Sequence, residues 1–433
     1  MHTVIHGDCL EELKKLDDNS VDAVITDPPY GLSNTKPAQV ADVLKAWVTG
    51  DTVSVPAKRG GFMGADWDSF VPPPAVWEEC MRVLKPGGHM AVFAGARTQE
   101  LMGLSIRLAG FEIRDTLGWI YGSGFPKSMD VSKAIDKAAG VEREVIGSKV
   151  TGNAKQRTSA TGEFADGNHG GQQVVDVTAP ATSEAQRWDG WGTALKPAIE
   201  PIILARKPLD GTVAANVLAH GVGGLNIDAC RVPSNEVTGW GGRGHASGGA
   251  SLNLSATGSV DGQPNPTQGR FPANVLLDEH AAKEMDKQSG VSVSRANTSS
   301  DNRGAEGSNI FASASFGRRD PSNSYNDSGG ASRFFPVFKY QAKAPKKERP
   351  VIEREDGSKI QHNTVKPLAL MEWLVSLIVP PGGVVLDPFA GSGTTLQAAL
   401  NKGFTPIGIE QDADYIQLIH RRLEGGEQST RSS

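Results

Sequence analysis

Cysteine is scarce in this 433-residue chain, and its three copies lie far apart. Because Cys9, Cys80 and Cys230 form no CxxC pair, the sequence excludes a disulfide framework and a cysteine-based zinc site of the usual spacing. A reducing, cytoplasmic compartment is therefore the expected location. No cluster of metal-ligating residues stands out elsewhere, and we expect no metal.

Long hydrophobic runs are also missing. The apolar stretch from Trp373 to Leu386 is interrupted by two prolines and two glycines at 380–383, which excludes a membrane span. The first residues, MHTVIHGD, lack the basic and apolar regions of a signal peptide. We expect no membrane partner.

The chain has no overall excess of positive charge, and its formal net charge of −5 excludes a protein that is basic throughout. A local patch is still sufficient to neutralise nucleic-acid phosphates. The clearest basic run consists of Lys339, Lys343, Lys346, Lys347 and Arg349. This run is either a solvated linker or a phosphate contact, and the sequence favours neither.

Short apolar runs alternate with amphipathic segments at both ends of the chain. The first 121 residues contain strand patterns at 3–6, 21–26, 89–94 and 111–121, with helix patterns between them. The last 67 contain strand patterns at 384–387 and 405–410 among three helix patterns. Neither end has enough strands for a full sheet, so we expect one split α/β domain with a mostly parallel sheet.

The middle of the chain has a different composition. Tracts rich in Gly, Ser, Asn and Thr lie near 150–190, 235–268 and 289–332. Such tracts are either flexible surface loops or loops that become ordered on a ligand.

The first candidate functional motif is Asp-Pro-Pro-Tyr at 27–30, directly after the apolar strand pattern at 21–26. The carboxyl ends of sheet strands are where open α/β folds bind ligands. The prolines rigidify the turn and remove two backbone donors, which leaves the Asp27 carboxylate and the Pro28 carbonyl as acceptors. Two such acceptors suit an amino group with two N–H bonds, and Tyr30 can stack on a planar ring. The alternative is a proline-rich turn that only ends a strand.

The second motif is a strand, a glycine-rich turn and a helix start at 384–395, VVLDPFAGSGTT. Gly391 and Gly393 let the backbone approach a ligand closely. The turn is neither the GxGxxG of dinucleotide enzymes nor a phosphate loop. Glu410 ends the next strand pattern, where an acid can hold ribose hydroxyls. A cofactor with a ribose and no phosphate fits this unit.

Two further segments are weaker. Asp8 follows the strand pattern at 3–6, and its simplest role is to cap the following helix. His362 and Lys366 lie before the helix pattern that starts at Pro367, where an exposed histidine and a solvated charge are the simplest explanations.

In this order, the motifs resemble the β-class S-adenosylmethionine-dependent DNA amino-methyltransferases, especially phage-type and solitary members. The resemblance covers both ends and about half of the chain. The matching stretches are 7–30, 84–88, 119–127, 194–201, 362–367 and 387–395. In the family the segment at 362–364 is usually His-Pro-Thr, and here Asn363 replaces the proline.

The resemblance implies the fold, a circularly permuted Rossmann-like methyltransferase fold. It has a mostly parallel seven-stranded sheet and an inserted target-recognition region. The permutation requires the two chain ends to lie close together. The expected divisions are a catalytic half at 1–121, an inserted loop region at 122–195, a returning strand at 196–208, a target-recognition region at 209–335, a linker at 336–361 and an S-adenosylmethionine-binding half at 362–433.

The resemblance also implies site residues. Asp27, Pro28, Pro29 and Tyr30 would be catalytic. The cofactor S-adenosyl-L-methionine would be bound by Asp8, Cys9, Asp27, Thr364, Lys366, Asp387, Phe389, Ala390, Gly391, Ser392, Gly393, Thr394, Glu410 and Gln411. Within this set, the resemblance places Glu410 on the ribose, Asp8 near the adenine, and Thr364 and Lys366 near the methionine part. Double-stranded DNA would be the partner, contacted by Lys339, Lys343, Lys346 and Lys347, in a cytoplasmic protein of a bacterium or phage.

We expect site-specific methylation of adenine N6, because Asp stands first in the motif of this permuted chain. Cytosine N4 is the nearest alternative. A catalytically inactive DNA-binding regulator with the same fold and a dinucleotide-dependent oxidoreductase are more distant ones. A homodimer, the recognition sequence and a cognate nuclease are left open.

Overall fold

The computed structural model describes residues 2–33, 35–56, 68–122, 124, 128–151, 173–237, 268–293, 328–338, 350–354, 356–362 and 364–430. The chain divides into two compact units. The larger contains Met1–Ser123 and Ile199–Ser433, and the smaller contains Gly124–Ala198. The basic run at 339–349 and Asn363 lie outside the described residues, as do most of the Gly- and Ser-rich tracts.

The described helices are α1 (Cys9–Leu13), α2 (Pro37–Val48), α3 (Pro74–Val83), α4 (Gln99–Leu108), α5 (Val131–Ala138), α6 (Ser183–Arg187), α7 (Val213–His220), α8 (Glu279–Ser289), α9 (Leu368–Ile378), α10 (Thr394–Asn401) and α11 (Ala413–Thr430). Short 3-10 helices cover Asp228–Cys230 and Ala331–Phe334.

The described strands are β1 (Thr3–His6), β2 (Val21–Thr26), β3 (Leu84–Phe93), β4 (Glu112–Ile120), β5 (Val145–Thr151), β6 (Gln173–Thr178), β7 (Ile199–Arg206), β8 (Val232–Val237), β9 (Gln268–Arg270), β10 (Val275–Asp278), β11 (Ser292–Val293), β12 (Ser328–Gly329), β13 (Val337–Phe338), β14 (Val351–Glu353), β15 (Lys359–Gln361), β16 (Val384–Asp387) and β17 (Thr405–Glu410). The bounds predicted for β1, β2, β16 and β17 are confirmed residue for residue.

One large sheet forms the centre of the larger unit, with the order β1-β17-β16-β2-β3-β7-β4-β10-β13. Its pairs are parallel except for β7, which runs antiparallel to both β3 and β4. The mostly parallel α/β fold is therefore confirmed. The sheet has two more strands than the seven predicted, because β10 and β13 extend it beyond β4. These runs of four and two residues are too short for hydrophobic periodicity to reveal.

The two ends of the chain meet in this sheet. β1 pairs with β17 in parallel, with His6 opposite Glu410, and α11 contacts β1. The predicted proximity of the two ends is thus confirmed for the described residues. Connections leave the β16–β2 pair in opposite directions, since β17 lies beyond β16 and β3 lies beyond β2. Such a reversal opens a crevice at the carboxyl ends of the strands.

The hydrophobic core lies on both faces of the sheet. Every residue of β2 is buried, as expected for a parallel strand covered by helices on both sides. Val24 packs with α1, α3 and α4 residues such as Leu13, Trp77 and Met102. Its neighbours Ala23 and Ile25 pack with α9 and α10 instead, because alternate strand residues face opposite sides.

The smaller unit contains the antiparallel β5–β6 pair between α5 and α6. The buried Asp136 carboxylate connects elements of this unit: it accepts hydrogen bonds from Thr182 and forms an ion pair with Arg143 at 2.8 Å. In the part of the chain that the structure describes, no helix is both long and apolar enough to cross a membrane.

Candidate active site

A cavity of about 1030 Å³ lies at the carboxyl edge of the β1, β17, β16 and β2 strands. Asp8 and Asp27 follow β1 and β2, while Asp387 and Glu410 end β16 and β17. The parallel register places these strand ends at one edge, so residues almost 400 positions apart line one cavity. This accounts physically for two motifs at opposite ends of the sequence.

All but one of the described residues predicted for catalysis or cofactor binding line this cavity. The exception is Gly393, which caps the start of α10 at a φ of 78°. A Cβ at this position would lie 3.2 Å from the Ile419 side chain. Gly393 therefore allows close packing of the helix start against α11 and does not face the cavity. The four lysines predicted for DNA contact fall outside the described residues.

The turn at 27–30 is held in place by its neighbours. The Thr98 hydroxyl donates to the Tyr30 carbonyl at 2.5 Å, and the buried Asp68 carboxylate accepts from the Gly31 amide at 2.9 Å. Gly31 has a φ of 67°, and a Cβ there would lie 2.7 Å from the Val71 nitrogen. Only glycine fits this position, so the chain turns sharply after Tyr30 and leaves its ring in the cavity wall.

The Asp27 carboxylate lies in a cluster of charged and polar groups. The Lys366 ammonium is 2.6 Å from Asp27 Oδ2, and the Tyr30 hydroxyl donates to Asp27 Oδ1 at 2.8 Å. Glu200 Oε2 lies 3.3 Å from the same ammonium and 3.4 Å from the Tyr30 hydroxyl. The cluster thus contains two carboxylates around one lysine.

Burial and charge fix the protonation states of this cluster. Burial alone would lower the pKa of Lys366, but the Asp27 and Glu200 carboxylates raise that pKa above its ordinary value. Burial, followed by the nearby Asp27 charge, raises the pKa of Tyr30 well above its usual range. At neutral pH Lys366 is an ammonium and Tyr30 a neutral phenol.

A buried hydrogen bond joins the two motifs. The Thr26 hydroxyl, one residue before Asp27, donates to Asp387 Oδ1 at 2.7 Å. The Phe389 amide donates to the same oxygen at 3.1 Å and fixes the turn after β16. Burial raises the pKa of Asp387 to about 6, against these stabilising hydrogen bonds.

The Glu410 side of the cavity fits a ligand with two neighbouring hydroxyls. Glu410 Oε2 accepts from the Gly391 amide at 2.7 Å, and Oε1 accepts from the Asp412 amide at 2.8 Å. A carboxylate oxygen has two lone pairs, so each oxygen retains one for a hydroxyl of a ribose. The Gly391 backbone can also approach the ligand closely, because this residue has no side chain. Gly391 has a φ of 53°, and a Cβ there would lie 3.0 Å from His362 Nε2.

Asp8 and Cys9 line the same side of the cavity. The Asp8 carboxylate caps α1 by accepting hydrogen bonds from the Leu10 and Glu11 amides. Asp8 therefore both caps this helix and lines the cavity. Burial raises the pKa of the Cys9 thiol to about 12, which keeps that thiol neutral. The residues present therefore fit a nucleoside-like cofactor with a cationic group.

Among the cavity residues that escaped the sequence-based selection are Glu200, His362 and Tyr415. Glu200 stands in a stretch that matched the family, but an acid on a strand in the middle of the chain carries no local signal. The His362 and Tyr415 rings pack at a centroid distance of 4.6 Å beside the glycine-rich turn. Burial lowers the pKa of His362, so this ring is neutral near pH 7. For His362, the only signal in the sequence was its place in the segment before Pro367.

The chain is similar in sequence to known DNA methylases. The profile of the N6/N4 family of DNA methylases matches residues 21–421. Type II methyltransferase M.HindIII of Haemophilus influenzae is 23% identical over 442 residues, covering 97% of this chain and 94% of that protein. DNA adenine methyltransferase YhdJ of Escherichia coli K12 is 46% identical over 63 residues, covering 14% of this chain and 21% of that protein.

Among solved structures, that of the M1.HpyAVI–SAM complex aligns over 98% of this chain and 99% of that one. The sequence identity in this alignment is 14%, and the TM-score is 0.38.

Proposed function

Since the chain belongs to the N6/N4 family of DNA methylases, we propose that it methylates the N6 amine of adenine at a specific site in duplex DNA, with S-adenosyl-L-methionine as the donor. The observation that carries this proposal is the single cavity in which the Asp27 turn and the Asp387–Glu410 unit face each other. A cofactor and a base need such a shared space if a group is to pass between them.

The two acceptors at the Asp27 turn perform the chemistry on the protein side. An exocyclic amine is a poor nucleophile because its lone pair is delocalised into the ring. Hydrogen bonds from its two N–H groups to the Asp27 carboxylate and the Pro28 carbonyl localise that lone pair on nitrogen. When bound, the cofactor would supply a methyl group on a cationic sulfur. The amine nitrogen would gain this methyl, the sulfur would become a neutral thioether, and the methylated nitrogen would lose one proton to the solvent. Positioning and electrostatics supply most of the acceleration.

The target base leaves the duplex to reach this site. A paired adenine inside a helix cannot place its N6 against a carboxylate in a cavity, so the base is flipped out. Tyr30 and Trp119 line the cavity and offer ring faces for stacking. Burial around Asp27 also excludes water, which strengthens the hydrogen bonds to the amine.

Sequence recognition falls to the region at 209–335, with the basic run at 339–349 on the DNA backbone. Residues 206–340 contain 13 Lys and Arg against 12 Asp and Glu, so recognition here depends on placed arginines and not on net charge. Arg270 and Arg333 lie 5.2 and 4.2 Å from the centre of the half-exposed Phe334 ring. Arginines and an aromatic ring at one surface position suit contact with DNA.

Base-resolved sequencing of DNA treated with the purified protein tests the proposal. We expect N6-methyladenine within one short sequence. N4-methylcytosine at the site would refute the choice of base, and unmodified DNA would refute the activity. Asp27→Ala should retain S-adenosyl-L-methionine binding and lose methyl transfer. Asp17→Ala, which changes an exposed aspartate outside the cavity, should behave like the wild type.

A further inference from the structure

Both carboxylate oxygens of Asp27 are already engaged by the protein. Oδ2 lies against the Lys366 ammonium and Oδ1 against the Tyr30 hydroxyl, at 2.6 and 2.8 Å. In the proposed reaction, however, this carboxylate accepts a hydrogen bond from the target amine. Each oxygen retains a lone pair, but an oxygen that already accepts from an ammonium is a weaker acceptor for the amine. Of the two partners, the lysine is the closer and the charged one.

Lys366 cannot leave without another counter-ion. Its side chain is 10% exposed, and a buried ammonium without a paired charge is strongly destabilising. Of the residues that the structure describes, Asp27 and Glu200 are the carboxylates in ion-pair distance of it. Glu200 Oε2 is at 3.3 Å, so a movement of the ammonium by less than an ångström brings Glu200 to the distance at which Asp27 now lies.

We propose that Glu200 is a positioning residue that takes over the Lys366 ammonium, and thereby frees Asp27 to accept the target amine. The inference rests on the proposed function and assigns Glu200 a role within it. Glu200 acts through Lys366 and does not itself touch the reacting atoms.

The surroundings of the cluster permit this exchange. Glu200 lies on β7, opposite Trp119 of β4, and β7 also pairs with β3 from Ile202 onward, which fixes its backbone. The Ala94 amide donates to the next carbonyl, that of Pro201, at 2.9 Å. Lys366, in contrast, has a long flexible side chain, and its ammonium lies 4.9 Å from the Phe93 ring centre and 5.3 Å from that of Tyr30. These ring faces stabilise the cation on the way between the carboxylates.

The charge count explains why two acids surround one base. With the lysine on Asp27, Glu200 is the spare acceptor. With the amine on Asp27, the lysine and Glu200 form a neutral pair. Without Glu200, Lys366 has a single counter-ion among the described residues, Asp27, and stays paired with it.

The test compares Glu200→Gln, Glu200→Asp, Lys366→Met and the double variant Glu200→Gln/Lys366→Met in single-turnover methylation. Glu200→Gln should bind S-adenosyl-L-methionine like the wild type and slow methyl transfer by about ten- to a hundredfold, the range for one charge-assisted hydrogen bond. Glu200→Asp should recover part of the rate. Glu112→Gln is the matched control, since Glu112 pairs with Arg206 at 2.6 Å outside the cavity.

The background carrying Lys366→Met separates positioning from a structural role. If Glu200 acts through Lys366, Glu200→Gln should have no further effect in that background. If the loss persists there, Glu200 acts independently and the inference is wrong. The fluorescence anisotropy of labelled duplexes gives the same comparison without turnover. Glu200→Gln should weaken the binding of a duplex with adenine at the target position, relative to one with purine, which lacks the amine, only when Lys366 is present.

Two outcomes distinguish this inference from the function on which it rests. A wild-type protein that methylates no DNA would overturn the proposed function itself. A wild-type protein that methylates DNA, together with a Glu200→Gln variant of unchanged rate and unchanged relative binding of the two duplexes, would overturn the role of Glu200 alone.

Discussion

Gly391→Ala tests whether the close approach of backbone and ligand at the glycine-rich turn is essential. Gly391 has a φ of 53°, in the left-handed region where an L-residue costs roughly 1–2 kcal/mol. The new Cβ would also lie 3.0 Å from His362 Nε2, and His362 is held by its packing against Tyr415. Overpacking of this kind adds about 1 kcal/mol or more. We therefore expect the free energy of unfolding to fall by about 2–3 kcal/mol.

Gly403→Ala separates the two contributions. Gly403 has a φ of 79°, and a Cβ there meets nothing within 4 Å. This variant carries the same backbone strain without the contact, so its free energy of unfolding should fall by only about 1–2 kcal/mol. Denaturant unfolding followed by tryptophan fluorescence measures both losses.

Cofactor binding gives the second readout. The Gly391 amide donates to Glu410 at 2.7 Å, so any shift of this backbone disturbs the acid proposed to hold the ribose. We expect Gly391→Ala to weaken S-adenosyl-L-methionine binding by about tenfold or more in calorimetric titration, since 1.4 kcal/mol is one decade. Gly403→Ala should bind normally. Equal affinities for the two variants would refute the idea that the ligand approaches the Gly391 backbone.

Three further predictions follow from the charges. Burial raises the pKa of Asp387 to about 6, and the cofactor is cationic. The affinity of the protein for the cofactor should therefore fall as the pH drops through about 6, by at most about tenfold per pH unit. Asp387→Asn should abolish this dependence in titrations at several pH values. Burial, then Arg206 and Arg114, lower the pKa of His89 from 6.5 to about 4, so the unfolded chain binds a proton that the folded chain refuses. Stability is then fully present above pH 6.5 and falls towards pH 4 by up to about 3 kcal/mol, and His89→Phe should flatten this part of the unfolding-versus-pH curve. Replacing the lysines of the 339–349 run by glutamine should lower DNA affinity for all sequences alike and reduce the salt slope by about 0.9 per lost phosphate contact; an unchanged slope would assign the run to a linker.

The sequence predicted the strands and turns that line the cavity, because a few consecutive residues encode each of them. β2 and β16 are mainly apolar runs; Asp27 follows the first and Asp387 ends the second, and such runs need no distant information to be recognised. The glycine-rich turn and Glu410 are also recognisable from the residues next to them in the sequence. The short strands β10 and β13 were missed because runs of four and two residues show no periodicity; in the fold β10 pairs with β4, and β13 pairs with β10.

The contacts of the charged cluster could not be predicted in this way. Lys366 looked like a solvated charge, because a lysine before a helix usually is one. In the fold it is buried between Asp27 and Glu200, which stand 339 and 166 positions away in sequence. Gly393 shows the opposite case, since its place in a glycine-rich motif indicated ligand contact and the fold uses it for packing against Ile419.

What the sequence determined by itself is the strands β1, β2, β16 and β17, the two motifs at their ends and the family to which the motifs point. Hydrophobic periodicity and turn chemistry act over a few residues, so they are readable without a structure. Only the tertiary structure decided which acids share Lys366, that Thr26 bonds Asp387, and that His362 and Tyr415 stand beside the glycine-rich turn. These contacts depend on the order of strands in the sheet, because the ordering alone brings the carboxyl ends of β1, β17, β16 and β2 to one edge.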